Sequence, residues 1–87
     1  MKEVTLETLS SPGCHVCEEF EKLWESVRAD NPEVKYRNIS VVTPEGMELA
    51  RKYGIFSSPG IIINGELFSM GGFDRGKFLA KLKELSK

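Results

Sequence analysis

Histidine and tryptophan occur once each in this 87-residue chain, cysteine only twice, and the charges nearly cancel. Twelve Lys and Arg face thirteen Asp and Glu, a net charge of -1, so no chain-wide basic field is present to hold a polyanion and nucleic-acid binding is not expected. Long apolar runs are missing as well. No window approaches the roughly 18 apolar residues of a membrane span, and the opening Met1-Lys2-Glu3-Val4-Thr5-Leu6-Glu7 has no signal-peptide core. The expectation is a soluble, cytoplasmic protein with no membrane partner. Gly71, Gly72 and Gly76 do not join a strand to a helix at the dinucleotide spacing inside a βαβ unit, so no nicotinamide or flavin site is indicated and no bound cofactor is expected. What is present is ordinary globular composition, 40% hydrophobic and 29% charged, which at this length predicts one domain around one small core. The near-neutral charge and the lack of an obvious apolar surface run predict a monomer.

Hydrophobic periodicity divides the chain into seven elements. Val4 to Ser10 is β-branched and alternating, and Ser11-Pro12-Gly13 ends it, which predicts a strand and a turn. Phe20, Leu23, Trp24 and Val27 stand at i, i+3, i+4 and i+7 among charged residues, predicting an amphipathic helix from near Cys14 to the stop at Asn31-Pro32. A second, less regular strand follows over Val34 to Val41. Thr43-Pro44 supplies an N-cap and a first-turn proline for a short helix closed by Gly54. Gly60 to Ile63, the Asn64-Gly65 turn and Glu66 to Met70 make a hairpin. Asp74 caps a last helix with Phe78, Leu79, Leu82 and Leu85 on its apolar stripe and its lysines in water. Two strands joined by a helix lie parallel through a right-handed crossover, and the hairpin adds antiparallel neighbours, giving a four-stranded mixed sheet covered by helices.

The two cysteines are adjacent enough to be read together, as Cys14-His15-Val16-Cys17. A disulfide that stabilises a fold closes a long loop, and this one would enclose two residues. A structural zinc site usually needs four Cys or His ligands, which this chain could complete only with a partner. A lone Cys-x-x-Cys where a strand gives way to a helix fits a redox dithiol. Unpaired backbone N–H groups and the positive end of the helix dipole favour a thiolate at Cys14, where cysteines have pKa values of about 3.5 to 7.5. Cys14 is therefore the expected nucleophile. Cys17, three residues before Phe20 and seven before Trp24, falls on the buried stripe and is the expected resolving thiol. A protonated imidazole at His15 would stabilise the thiolate; the alternative is an inert solvent-facing side chain.

Cys14-His15-Val16-Cys17 at a strand end, Tyr53-Gly54-Ile55 followed by Ser57-Ser58-Pro59-Gly60, and Ile61-Ile62-Ile63-Asn64-Gly65-Glu66 together resemble successive parts of the thioredoxin superfamily pattern. The resemblance covers nearly the whole chain. It implies an α/β protein with the minimal thioredoxin fold, βαβαββα, with three helices flanking the four-stranded mixed sheet, as in glutaredoxins and small archaeal thioredoxin-like proteins. It implies a thiol-disulfide oxidoreductase that acts on protein disulfides through a mixed disulfide and draws electrons from thioredoxin reductase or glutathione. Pro59 would be the family's cis-proline, with an ordinary trans turn proline as the alternative. Ser58 would offer its backbone to an extended substrate segment, and His15 would lie in the same substrate region.

Departures from the family pattern bear on the electron donor and the substrate. Thioredoxins usually have Trp before the first cysteine and Gly-Pro between the two, where this chain has Gly13 and His15-Val16. They bury an Asp beneath the dithiol, where Thr8 stands here, and no carboxylate is evident for that task. Glutaredoxins carry a Lys shortly before the first cysteine, where this chain has Ser10-Ser11-Pro12-Gly13. Gly71-Gly72-Phe73-Asp74 nonetheless resembles the glutaredoxin segment that binds the γ-glutamyl end of glutathione, making Gly71, Gly72 and Asp74 candidate glutathione residues; a glycine turn and a helix cap account for the same residues. Two further classes fit the residues: a metal or iron-sulfur module sharing its cysteines with another chain, and a redox-inert adaptor.

Overall fold

The computed structural model describes residues 3–86. Its elements run β1 (Val4–Ser10), α1 (His15–Val27), a 3-10 turn at Arg28–Asp30, β2 (Val34–Ser40), α2 (Pro44–Tyr53), β3 (Gly60–Ile63), β4 (Glu66–Met70) and α3 (Arg75–Leu85). Thus α1 stops at Val27, short of the Asn31-Pro32 break, because Asn31 takes over its end. The Asn31 amide donates to the Val27 carbonyl at 2.8 Å. Among the described residues, no helix is long and apolar enough to cross a membrane.

The sheet order is β2-β1-β3-β4. β1 pairs parallel with β2, with Leu6 opposite Tyr36 and Thr8 opposite Asn38, and antiparallel with β3, with Leu6 opposite Ile63. β1 is therefore interior and buries residues on both faces. Val4 and Leu6 join Phe20, Leu23 and Trp24 of α1, Ile61 and Ile63 of β3, and Phe78 and Leu82 of α3. Leu9 and Ile62 turn to the other face, where Ile55 and the α2 side chains Leu49, Ala50 and Tyr53 cover them. Each such large apolar side chain contributes roughly 1.5–3 kcal/mol by leaving water. The α3 stripe is narrower than its periodicity implies: Phe78 and Leu82 are fully covered, whereas Leu79 and Leu85 are half-buried.

Local chemistry fixes the connections. Asn64 and Gly65 have φ of 51° and 78°, the left-handed pair that a two-residue hairpin turn needs. The Asn64 side chain also accepts the Thr5 N–H at 2.9 Å, tying the hairpin to β1. β3 and β4 do not stay in regular register: Ile61 faces Ser69 but Ile62 faces Leu67, so β4 carries a bulge. Thr43 Oγ1 accepts the Gly46 N–H at 3.0 Å and Gly54 closes α2 at φ 67°. On the outer face, Arg37 reaches Glu45 at 2.6 Å and Glu7 at 3.4 Å, linking β2 to α2 and β1. The hydrogen bond to Glu45 and its charge raise the guanidinium pKa; partial desolvation opposes them, and the charge of Glu7 adds the least.

Candidate active site

Ser11-Pro12-Gly13-Cys14 has the residue pattern of a type II turn. Proline and glycine occupy its central positions, Gly13 has φ 72°, and the Cys14 N–H donates to the Ser11 carbonyl at 3.3 Å. The turn delivers Cys14 to the head of α1 as its N-cap, in extended conformation, with Sγ accepting the Cys17 N–H at 3.1 Å. A sulfur thus stands where helices commonly place a serine or aspartate oxygen. Cys14 and Cys17 are joined as a disulfide with 5.2 Å between their Cα atoms. The two sides of that bond differ: Cys14 is half-buried, whereas Cys17 is 6% exposed and faces the core.

A second segment approaches the same turn. The Ser58–Pro59 peptide is cis, Pro59 is buried, and its carbonyl accepts the Gly71 N–H at 3.0 Å. Ser58 Oγ lies 2.6 Å from Ser11 Oγ. Beside them runs a groove of about 290 Å³ with apolar walls from Val41, Ala50, Ile55 and Phe56 and hydroxyls from Ser11, Ser57 and Ser58. Phe56 is 89% exposed, and its N–H donates to Met70 Sδ at 3.0 Å, so aromatic and thioether surface adjoin the groove. A larger depression of about 440 Å³, lined in part by Glu19, Lys22 and Arg75, includes neither cysteine and offers the dithiol nothing.

The remaining candidates fall in different places. His15 is exposed and its Nε2 lies 3.2 Å from Glu19 one turn along α1. Gly71, at φ 80°, packs against the Ser57–Pro59 loop, where a Cβ would come 3.1 Å from Ser57 Cβ. Gly72 faces open space, and Asp74 Oδ1 accepts the Lys77 N–H at 2.8 Å as the cap of α3. Among the described residues, no group of three or more His, Cys, Asp or Glu side chains is arranged to hold a metal ion.

A family model described as a thioredoxin domain matches residues 3–84. The chain belongs to the thioredoxin family. The probable thioredoxin of Archaeoglobus fulgidus is 32% identical over 82 residues, covering 94% of this chain and 89% of that one. The thioredoxin of Methanocaldococcus jannaschii is 30% identical over 87 residues, covering 97% and 98%. Among solved structures, oxidised thioredoxin O2 of Arabidopsis thaliana superposes with a TM-score of 0.79 at 12% identity over 99% of this chain and 77% of that one. Mitochondrial thioredoxin 3 of Saccharomyces cerevisiae gives 0.76 at 15% identity over 98% and 81%. At those identities the structures speak for the fold alone.

Within this thioredoxin-family chain, Thr8 heads a run of side-chain hydrogen bonds. Thr8 is 2% exposed and its hydroxyl shares a hydrogen bond with Tyr36 at 3.0 Å. The Tyr36 hydroxyl donates in turn to the Glu21 carboxylate, which also accepts from the Asn38 amide at 2.5 Å. A carboxylate therefore does reach Thr8 through one intervening hydroxyl, carried by α1 rather than β1. Sequence reasoning passed over Glu21, Tyr36, Ser11 and Phe56. The available signals were faint: Glu21 stands four residues after Cys17, and Phe56 is a large aromatic just after the Gly54 helix stop.

Proposed function

We propose that Cys14 is the attacking sulfur and Cys17 the resolving sulfur of this thiol-disulfide oxidoreductase, acting on disulfides in extended polypeptide segments. The observation that carries the assignment is the unequal cover of two bonded cysteine residues at one helix start, Cys14 half-buried and Cys17 at 6%. The Cys17 N–H directed at Cys14 Sγ and the positive end of α1 both favour a thiolate there once the pair is reduced.

The reduced protein begins the exchange. Cys14 thiolate attacks one substrate sulfur, the substrate S–S bond breaks, and the second substrate sulfur leaves as thiolate and takes up a proton. Cys17 then gives up its proton and attacks Cys14 Sγ, which forms the Cys14–Cys17 bond and expels the first substrate sulfur as a thiolate that takes up a proton in its turn. The substrate gains two electrons and two protons, and the protein is left as the disulfide seen here. A substrate strand would pair with the backbone at Ser58, beside Pro59, while an adjacent side chain enters the groove walled by Val41, Ala50 and Phe56.

For the electron donor, a thioredoxin reductase fits better than glutathione. Asp74 already serves α3, a Cβ at Gly72 would meet only open space, and the residues before Cys14 supply no lysine for a glutathione carboxylate. One chain carries both sulfurs, so a monomer is sufficient. A reducing, cytoplasmic setting suits a cysteine pair that encloses only two residues.

Cys14→Ser should abolish disulfide reduction, and Cys17→Ser should accumulate mixed disulfides visible on non-reducing gels; ordinary turnover by the Cys14 variant would overturn the assignment. Reduction of the oxidised protein by NADPH with thioredoxin reductase, set against reduction by glutathione, decides the donor.

A further inference from the structure

Two hydroxyls meet between segments far apart in the chain. Ser11 Oγ and Ser58 Oγ are 2.6 Å apart across a separation of 47 residues, at the short end of the range for O–H···O bonds. Ser11 has a second attachment: its carbonyl accepts the Cys14 N–H at 3.3 Å, closing the turn that presents the sulfur. Ser58 stands immediately before Pro59, whose carbonyl holds the Gly71 N–H at 3.0 Å. Among the described residues, the Ser11–Ser58 pair is the side-chain hydrogen bond that joins the dithiol turn to this loop.

We infer that the Ser11–Ser58 pair positions Cys14 relative to the substrate-pairing backbone of Ser58, and so governs reduction of polypeptide disulfides more than that of small ones. The inference rests on the functional reading above. A polypeptide must satisfy two constraints together, strand pairing at Ser58 and in-line approach of its sulfur to Cys14. Reacting atoms need to come within about 3–3.5 Å, and a shift of about 1 Å is enough to cost up to a hundredfold in rate. A small disulfide has only the second constraint and orients itself. Ser11 and Ser58 are therefore positioning residues; neither needs to touch the reacting sulfurs.

The test compares wild type with Ser11→Ala, Ser58→Ala and the double variant, using insulin as the polypeptide disulfide and 5,5′-dithiobis(2-nitrobenzoate) as the small one. Each single variant should lower kcat/KM for insulin about fivefold, the equivalent of one hydroxyl hydrogen bond, and lower the small-disulfide rate by a clearly smaller factor, so that the ratio of the two rates falls. The double variant should be no worse than either single one, because both remove the same bond. Exchange of the Cys14 amide should quicken in Ser58→Ala, although Ser58 makes no direct bond to it. Parallel loss with both substrates, additive single effects, or an unchanged Cys14 amide would overturn the inference. If an alanine variant does not melt cooperatively, Ser58→Thr against Ser58→Val decides instead: the two are similar in size, and only threonine should keep the insulin rate. A wild-type protein inert toward both substrates would remove the oxidoreductase reading itself, and that control separates the two failures.

Discussion

Gly46→Ala sets two effects of opposite sign against each other. In a helix interior alanine is favoured over glycine by about 1 kcal/mol, and Gly46 is the third residue of α2. Yet Gly46 is buried where α2 passes the end of β2. A Cβ built there would overlap the Ser40 carbonyl oxygen and lie 2.7 Å from the Ser40 carbonyl carbon and 2.9 Å from Val41 Cα. These are backbone atoms held on both sides: the Ser40 carbonyl accepts from Thr43 Oγ1 at 2.7 Å, and the Val41 N–H donates to Ser10 at 2.8 Å. No rotamer change can relieve the overlap. Overpacking costs about 1–3 kcal/mol, and an immobile backbone puts this case at the upper end, so the net loss is about 2 kcal/mol. For a domain of this size that lowers the melting temperature by about 8–16 °C. Thermal unfolding of the oxidised protein measures it, with Gly76→Ala as reference, since a Cβ at that α3 position meets only Asp74 Oδ1 at 3.4 Å. The reference should be neutral or slightly stabilised. Because α2 carries Ala50 into the groove and leads into the Ile55–Pro59 loop, the Gly46 variant should also reduce insulin more slowly. A Gly46→Ala protein that melts at or above wild type would refute the claim that α2 is seated against the Ser40 carbonyl.

Cys14 is an N-cap as well as a nucleophile, so with the disulfide absent in both, Cys14→Ser should exceed Cys14→Ala in stability by about 1 kcal/mol on urea denaturation. Tyr36→Phe leaves the buried Thr8 hydroxyl without its partner and should cost about 1–3 kcal/mol; adding Thr8→Val, which removes the orphaned group, should recover much of the loss, and no recovery would show that the Thr8–Tyr36 bond is not the source. Asp74→Ala should cost about 1 kcal/mol while Asp74→Ser stays close to wild type, since either oxygen caps the Lys77 N–H. Reduction by glutathione that falls in Asp74→Ser despite unchanged stability would instead point to a glutathione contact.

Much of the fold was legible because the deciding residues act locally. Asn64-Gly65 adopts the two positive φ angles that its hairpin needs, Thr43-Pro44 and Gly54 bound α2, and Phe20, Leu23 and Trp24 go inward together with Cys17 as helical spacing requires. The end of α1 was less legible, because Asn31 ends it by reaching back to Val27 rather than by the proline that follows. The β4 bulge has no local signature in Glu66 to Met70. Nothing in the residues around Gly46 calls for a glycine there, and the reason for it is the Ser40 carbonyl on another element.

The sequence alone determined the order of the elements, their caps and the seating of a dithiol where a strand becomes a helix. Each of these follows from φ preferences, hydrogen-bonding side chains and periodicity within a few residues. Tertiary structure decided which distant groups meet: Ser11 with Ser58, Thr8 with Tyr36 and Glu21, and Phe56 with the groove beside Pro59. The physical reason is that such contacts depend on sheet register and helix placement, which are set by the packing of the whole core, so no short stretch of residues carries them.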